Sequence, residues 1–453
     1  MRYRFLSDMG VVFVMDSPEF VIAEEGQGKS RFNVVYNGSS DDVNERMYAS
    51  AVCEEVKNRL GVELSLSSDI VDNEADCEII IGSLRRSETS YSMEKCLKHT
   101  EFSIKVFYHP ERGKTKLAVA YNGKLARYTA ISTLLKYIKN GRFAIPYELD
   151  ILSSCSDDMI ISSDVTGALR DPFVLYENGI YYVYGTGWHC YKNSERTLSG
   201  HWERIENFIV EEPSDYLDCP WAPEVYKYND SFYMFTTYRS DKTMRRGCAV
   251  FRSASPEGPF KLISDGHVTP EDWDAIDGSL YIDPQGQPWM VFSHEWTSPD
   301  GLKGFFAAAK LSSDLTRFIS EPVELFYPGG IWSGADITDG CFMYTTRSGE
   351  LLMLWSNFDI GGGYGVGVAR SVSGGIEGPW IHDPLMLYSS TFLDRPDGGH
   401  GMIFTDTDGS MYMPVHTPNT DDATPIFIRV YEENDALFPA VPIAKNPSLS
   451  GLS

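Results

Sequence analysis

The sequence predicts an all-β five-bladed β-propeller preceded by a small N-terminal α/β domain. Three observations predict this: a helix-and-strand period confined to roughly the first 155 residues, its replacement from about residue 165 by strand–turn–strand units, and the recurrence of that unit five times at about 50 to 60 residues. The expected domains are residues 1–155 and 160–445.

In the first part, the β-branched and aromatic run Phe32 to Tyr36 reads as a strand and the stretch from about Asn44 to Leu60 as a helix. Cys77 to Gly82 reads as a buried strand, Phe102 to Tyr108 and Lys116 to Tyr121 as a hairpin around Arg112-Gly113, and Leu125 to Ile138 as a second helix. A small sheet covered by two helices follows. Through EIIIGSLRR at 78–86 and LAVAYNGKLARYTAISTLLKYI at 117–138, this part resembles the accessory α/β domain that precedes the catalytic domain of some hexosaminidases and α-glucuronidases.

The five units begin at Asp171-Pro172, Ala222-Pro223, Asp277-Gly278, Asp339-Gly340 and His400-Gly401. Each runs through an apolar strand and an NG, ND, QG, SG or DG turn into an aromatic-rich strand, which is the pattern of the inner hairpin of a four-stranded blade. Outer strands show at Gly247 to Arg252 and Gly365 to Arg370, each followed by a Gly-Pro-aromatic turn.

Composition narrows the partners. With 39 Lys+Arg against 64 Asp+Glu the formal charge is −25, which repels phosphate backbones and anionic lipid, so neither nucleic acid nor a membrane is expected. The eight cysteines are scattered without a CxxC pair and the opening segment carries no cleavage-site pattern, so a reduced, cytoplasmic setting is expected.

In a propeller the innermost strands share one direction, so the first positions of the five units should ring one mouth of the channel. Those positions hold Asp171, Ala222, Asp277, Asp339 and His400, with Glu224 two residues into the second unit and on the same side of its strand. Three carboxylates at five symmetric positions would each cost desolvation energy, and their convergence splits pKa values into an acid and a base.

In this order and spacing, Ala168 to Pro172, Trp221-Ala222-Pro223-Glu224, Ile276 to Ser279, Thr338-Asp339-Gly340 and Gly399-His400-Gly401 resemble the landmarks of glycoside hydrolase family 43, the arabinofuranosidase and β-xylosidase group. The resemblance covers about residues 165 to 430. It implies inverting hydrolysis, with Asp171 as general base and Asp277 as the residue that orients the acid and adjusts its pKa. Asp339 stands where the family has a Glu before Gly as general acid, one methylene shorter, with Glu224 and Glu295 as fallback acids. It further implies that His400 binds a water or a calcium ion in the channel, with no cofactor required.

Trp221, Trp296 and Trp332 lie beside landmarks and could offer flat faces to a sugar, and Arg395 could bond a hydroxyl. The expected substrate is an oligosaccharide or polysaccharide from which pentose, L-arabinofuranose or D-xylose, is released by exo attack. Endo-arabinanase action or a non-catalytic carbohydrate-binding propeller are the alternatives.

Overall fold

The structure, a computed structural model of the chain, describes residues 3–6, 12–15, 18–71, 73–94, 98–155, 160–296, 303–439 and 443–444. Cys96 and parts of the opening segment read for a leader lie outside them. The chain divides into two compact units, Met1–Asp157 with Thr391–Asp394 and Val441–Ser453, and Asp158–Ser390 with Arg395–Ala440.

The first unit is built on a mixed seven-stranded sheet in the order Ile443–Ala444, Asp150–Ser154, Glu101–His109, Lys114–Tyr121, Cys77–Ile81, Lys29–Tyr36, Glu63–Ser68. The helix Val43–Leu60 joins two parallel neighbours of this sheet. Asp42 starts it by accepting the Asn44 N–H, and Gly61, at φ 68°, ends it by donating to the Lys57 carbonyl. Cys77–Ile81 is buried along its whole length, as a parallel strand covered on both faces must be. Two elements differ from the sequence reading. Ser87–Met93 forms an additional short helix, and the helix expected to reach Ile138 spans Lys124–Leu135. Ile138–Lys139 instead pairs with Arg142–Pro146, because Asn140 and Gly141 both take positive φ and close a hairpin there. Thr391–Asp394 belongs to this unit, where Phe392 stacks on Tyr128 with centroids 4.1 Å apart.

The second unit is antiparallel throughout its named sheets. Sheet I is Phe173–Glu177, Ile180–Gly185, His189–Asn193 and Glu203–Arg204; sheet II is Tyr216–Tyr228, Ser231–Ser240, Arg246–Ser253 and Lys261–Leu262. Sheet III is Ala275–Ile282, Pro288–His294, Phe305–Lys310 and Val323–Phe326; sheet IV is Asp339–Thr345, Leu351–Phe358, Tyr364–Ser371 and Trp380–His382. In sheet V, Phe404–Thr405, Met411–Thr417 and Thr424–Glu433 are joined by Ala436–Pro439 and by Ile160–Ser162, which pairs Ile161 with Phe427. The strand that precedes sheet I is thus hydrogen-bonded into the last sheet. Apolar residues from neighbouring sheets interleave: Val174 and Tyr184 of sheet I with Val225 and Met234 of sheet II, and Phe235 and Val250 of sheet II with Leu280 and Phe292 of sheet III. Among the described residues no helix is long and apolar enough to cross a membrane.

One buried charge cluster in the first unit gives a test of the fold. Glu78 is fully buried and accepts from Arg86 Nε at 3.1 Å and Lys116 Nζ at 2.8 Å. Burial alone would raise its carboxyl, but the two cations outweigh burial and hold it below the usual carboxylate range. A depressed folded pKa means stability that is present above the ordinary carboxylate range and is lost as pH falls through the folded value. Glu78→Gln should therefore cost about 3–5 kcal/mol at neutral pH, since it takes the carboxylate from buried Arg86 and leaves Lys116 with the half-exposed Glu74. In urea unfolding, the gap between variant and wild type should narrow as pH drops below about 4.

Candidate active site

In or shortly before each sheet's first strand, one residue takes a left-handed backbone: Asp171 (φ 55°), Ala222 (44°), Asp277 (58°), Gly340 (55°) and His400 (58°). Each of their five N–H groups donates to a side chain of the preceding sheet or of the residue that continues its second strand, sheet V preceding sheet I. Asp171 bonds His416 Nδ1 at 3.2 Å, Ala222 bonds Thr186 Oγ1 at 3.0 Å, and Asp277 bonds Thr237 Oγ1 at 3.0 Å. Gly340 bonds Asp277 Oδ2 at 2.9 Å and His400 bonds Ser356 Oγ at 2.8 Å. Four of the five are not glycine, and each such residue costs on the order of 1–3 kcal/mol, strain of a kind that collects at functional sites.

This register corrects the sequence reading at one unit. Asp339 pairs with Ser356 as Trp221 pairs with Thr237 and Ile276 with Ser293, so it precedes the left-handed position by one residue. Gly340 holds that position, which demands positive φ and suits glycine. Two Asp-Gly pairs that look alike in sequence, 277–278 and 339–340, are therefore out of phase.

Asp171, Asp277, Asp339 and His400 nevertheless line one cavity of about 390 Å³, a size suited to a small organic ligand. Arg170, Thr186, Trp221, Ile276, Glu295, Trp296, Tyr364 and Asp421 complete its lining. His400 Nδ1 lies 3.3 Å from Asp171 Oδ1 and 3.9 Å from Asp277 Oδ2. Burial would lower the imidazole's pKa, but these carboxylates outweigh it and raise it to about 10. Burial likewise opposes ionisation of Asp171, and the charge and hydrogen bond of His400 overcome it, holding Asp171 well below the usual range. Thr186 Oγ1 also donates to Asp171 Oδ2. Asp339 goes the other way: burial first, then the charge of Asp277, push it well above the usual range, against a hydrogen bond from Tyr364 Oη at 3.0 Å. One cavity thus holds a carboxylate kept ionised and a carboxyl kept protonated, the pairing needed for general base and general acid work.

Residues 165–429, more than half of the chain, match the model described as "Glycosyl hydrolases family 43". The chain belongs to glycoside hydrolase family 43. A solved structure of an endo-arabinase from Bacteroides thetaiotaomicron VPI-5482 is 34% identical with a TM-score of 0.53, and the match covers 61% of this chain and 99% of that one. A "thermostable family-43 glycoside hydrolase" of known structure, 22% identical with a TM-score of 0.54 over 65% of this chain and 98% of its own, shares the fold. Among curated proteins, an extracellular exo-α-(1→5)-L-arabinofuranosidase of Cellvibrio japonicus (strain Ueda107) is 28% identical over 173 residues, 34% of this chain. The chain spans less than half the length of the curated relatives it first matches, 47% of the Cellvibrio protein and 38% of a probable arabinan endo-1,5-α-L-arabinosidase B of Aspergillus fumigatus.

In this family 43 chain the structure brings together Asp171, Asp277, Asp339, His400, Trp221 and Trp296, and leaves three of the expected residues out. Trp332 is fully buried, tilted against Trp355 at 4.7 Å, with its indole N–H donating to the Asp383 carbonyl at 3.3 Å, so it is core. Arg395 is exposed and does not line the cavity. Glu224 is buried outside the lining, bonded by Tyr226 Oη, which also meets Ser279 Oγ at 2.9 Å; burial pushes its carboxyl up to about 8. The other fallback acid, Glu295, lines the cavity but is paired with the Arg246 guanidinium, which also sits over Trp221 at 5.3 Å.

Thr186, Tyr364 and His416 escaped the sequence reading. A signal for two of them was present, because the second strand of every unit has a polar residue within three positions of its end: Thr186, Thr237, Ser293, Ser356 and His416. The sequence reading places a water or a calcium ion at His400. Its Nδ1 faces two carboxylates as an imidazolium, and among the described residues no three His, Cys, Asp or Glu side chains group as metal ligands.

The raised pKa of His400 carries its own test. Such a group adds stability that is fully present below its ordinary value of about 6.5 and is lost as pH rises through the folded value. The stability deficit of His400→Gln, measured by chemical unfolding, should be greatest near pH 6 and fade toward pH 10.

Proposed function

We propose that this chain is an inverting glycoside hydrolase, its five sheets arranged as the blades of one propeller, that cleaves α-L-arabinofuranosidic bonds in arabinan or its oligosaccharides. The observation that carries the reading is the opposed ionisation of Asp171 and Asp339 within one cavity flanked by Trp221 and Trp296. The relatives named as arabinofuranosidase, arabinan endo-arabinosidase and endo-arabinase support the sugar.

In this mechanism Asp171 takes a proton from water as the water attacks the anomeric carbon. Asp339 gives its proton to the departing glycosidic oxygen, and the released sugar has the inverted configuration. Inversion needs the two carboxyls on opposite faces of the sugar, about 6.5–9.5 Å apart, so that water fits between. Asp277 serves Asp339 twice: Oδ2 anchors the neighbouring Gly340 N–H, and its charge helps to keep the acid protonated. Trp221 and Trp296 offer apolar faces to the ring of the sugar. Exo attack is our first reading. Endo attack is the second, favoured by the 34% identity to an endo-arabinase of known structure.

A panel of nitrophenyl pentosides and hexosides together with arabinan tests the activity. Release of arabinose alone marks exo action, a ladder of oligomers marks endo action, and turnover of none of them would end the hydrolase reading in favour of a binding protein. Asp171→Asn should lower kcat by about 10²- to 10⁴-fold while sugar affinity by calorimetry holds. Asp339→Ala should cripple arabinan and natural oligosaccharides far more than nitrophenyl glycosides, whose leaving group departs with little protonation. Equal loss on both substrate types would move the acid elsewhere.

A further inference from the structure

Tyr364 opens the third strand of sheet IV and is 3% exposed. Its Oη donates to Asp339 Oδ2 at 3.0 Å, and burial keeps that hydroxyl protonated by pushing its pKa well above the usual value. Its ring stacks on the His416 imidazole, with centroids 5.8 Å apart and planes at 19°, and meets Phe358 edge-on at 5.2 Å. Its backbone N–H donates to Asp397 Oδ2 at 3.0 Å. The chain leaves room for this ring at Gly399, where a Cβ would fall 2.3 Å from Tyr364 Cε1.

His416 in turn supports Asp171. Its Nδ1 lies 3.2 Å from the Asp171 N and 3.3 Å from Asp171 Oδ1, and its Nε2 faces Asn419 Oδ1 at 3.2 Å. Arg170 Nη2 closes the chain on the same Asn419 oxygen at 2.9 Å. One rigid side chain therefore reaches Asp339 through its hydroxyl and the support of Asp171 through its ring.

We propose that Tyr364 is a positioning residue for the reaction, which fixes the proton of Asp339 on Oδ1 and holds the acid and the base in register with each other. The proposal rests on the hydrolase reading above. A hydroxyl that donates to Oδ2 makes that oxygen the acceptor of the neutral carboxyl, so the transferable proton resides on Oδ1. When the proton leaves for the glycosidic oxygen, the same bond steadies the carboxylate that forms. The other charged groups acting on Asp339 are Asp277 from sheet III, Asp171 ahead of sheet I and His400 ahead of sheet V.

Tyr364→Phe keeps the ring and removes the donor. It should lower kcat about tenfold or more on arabinan oligosaccharides and leave nitrophenyl glycosides nearly unchanged. Losing a donor to the carboxylate also raises the acid's pKa, so the basic limb of the pH–rate profile should move to higher pH. Tyr364→Leu, which removes the ring as well, should reduce both substrate types. Unchanged kinetics in Tyr364→Phe, or equal losses with an unmoved basic limb, would overturn the proposal. Should Tyr364→Phe fail to fold, Gly399→Ala, which displaces the ring, is expected to lower kcat on both substrate types, and wild-type kinetics there would count against the proposal. A carbon-13 titration of labelled aspartates, with Asp339→Asn identifying the resonance, decides without turnover. Asp339 should titrate higher in Tyr364→Phe, and an unmoved titration rejects the proposal even if wild type cleaves no glycoside, an outcome that by itself would sink only the hydrolase reading.

Discussion

Everything at the candidate site depends on five backbone N–H groups, each bonded to a side chain that belongs to or continues the preceding sheet. Because these bonds run from sheet V to I, I to II, II to III, III to IV and IV to V, no sheet can shift along its strands without breaking its neighbour's latch. The donors sit in left-handed backbone, a conformation that a surrounding structure must enforce on residues with a Cβ. The latches therefore serve as structural joints and also set the positions of the carboxyls carried by the same residues.

The electrostatics follow from that placement. Asp171, Asp277, Asp339 and His400 are all largely removed from water, so their mutual charges are weakly screened. One imidazolium lies within reach of Asp171 and Asp277, and its charge goes chiefly to Asp171, which a threonine hydroxyl also supports. Asp339 has a tyrosine hydroxyl and the repulsion of Asp277 instead. Identical carboxyl groups are thus driven to opposite protonation states by burial and by their neighbours, a separation that the resemblance implied.

Much of this was legible along the chain. Inner hairpins could be read because a strand, a two-residue turn and the returning strand are local, and Asn178-Gly179 or Asp408-Gly409 advertise themselves. The phase of Asp171, Asp277 and His400 was readable for the same reason. Helix ends were less so: Ile138 fits a helical stripe, and only its pairing with Phe143 removes it from the helix.

The sequence by itself determined which residues alternate, where the turns fall and which carboxyls begin the units, since these depend on near neighbours and on side-chain type. Tertiary structure alone decided that Gly340 rather than Asp339 occupies the left-handed position, that Trp332 is core against Trp355, and that Arg395 stays outside the cavity. It also decided that Tyr364 meets both Asp339 and His416, residues 25 and 52 positions away in the chain. Such meetings are set by register between strands and by the bond between Asp171 and His416 of sheet V. Those are long-range pairings whose energy resides in bonds that no local pattern encodes.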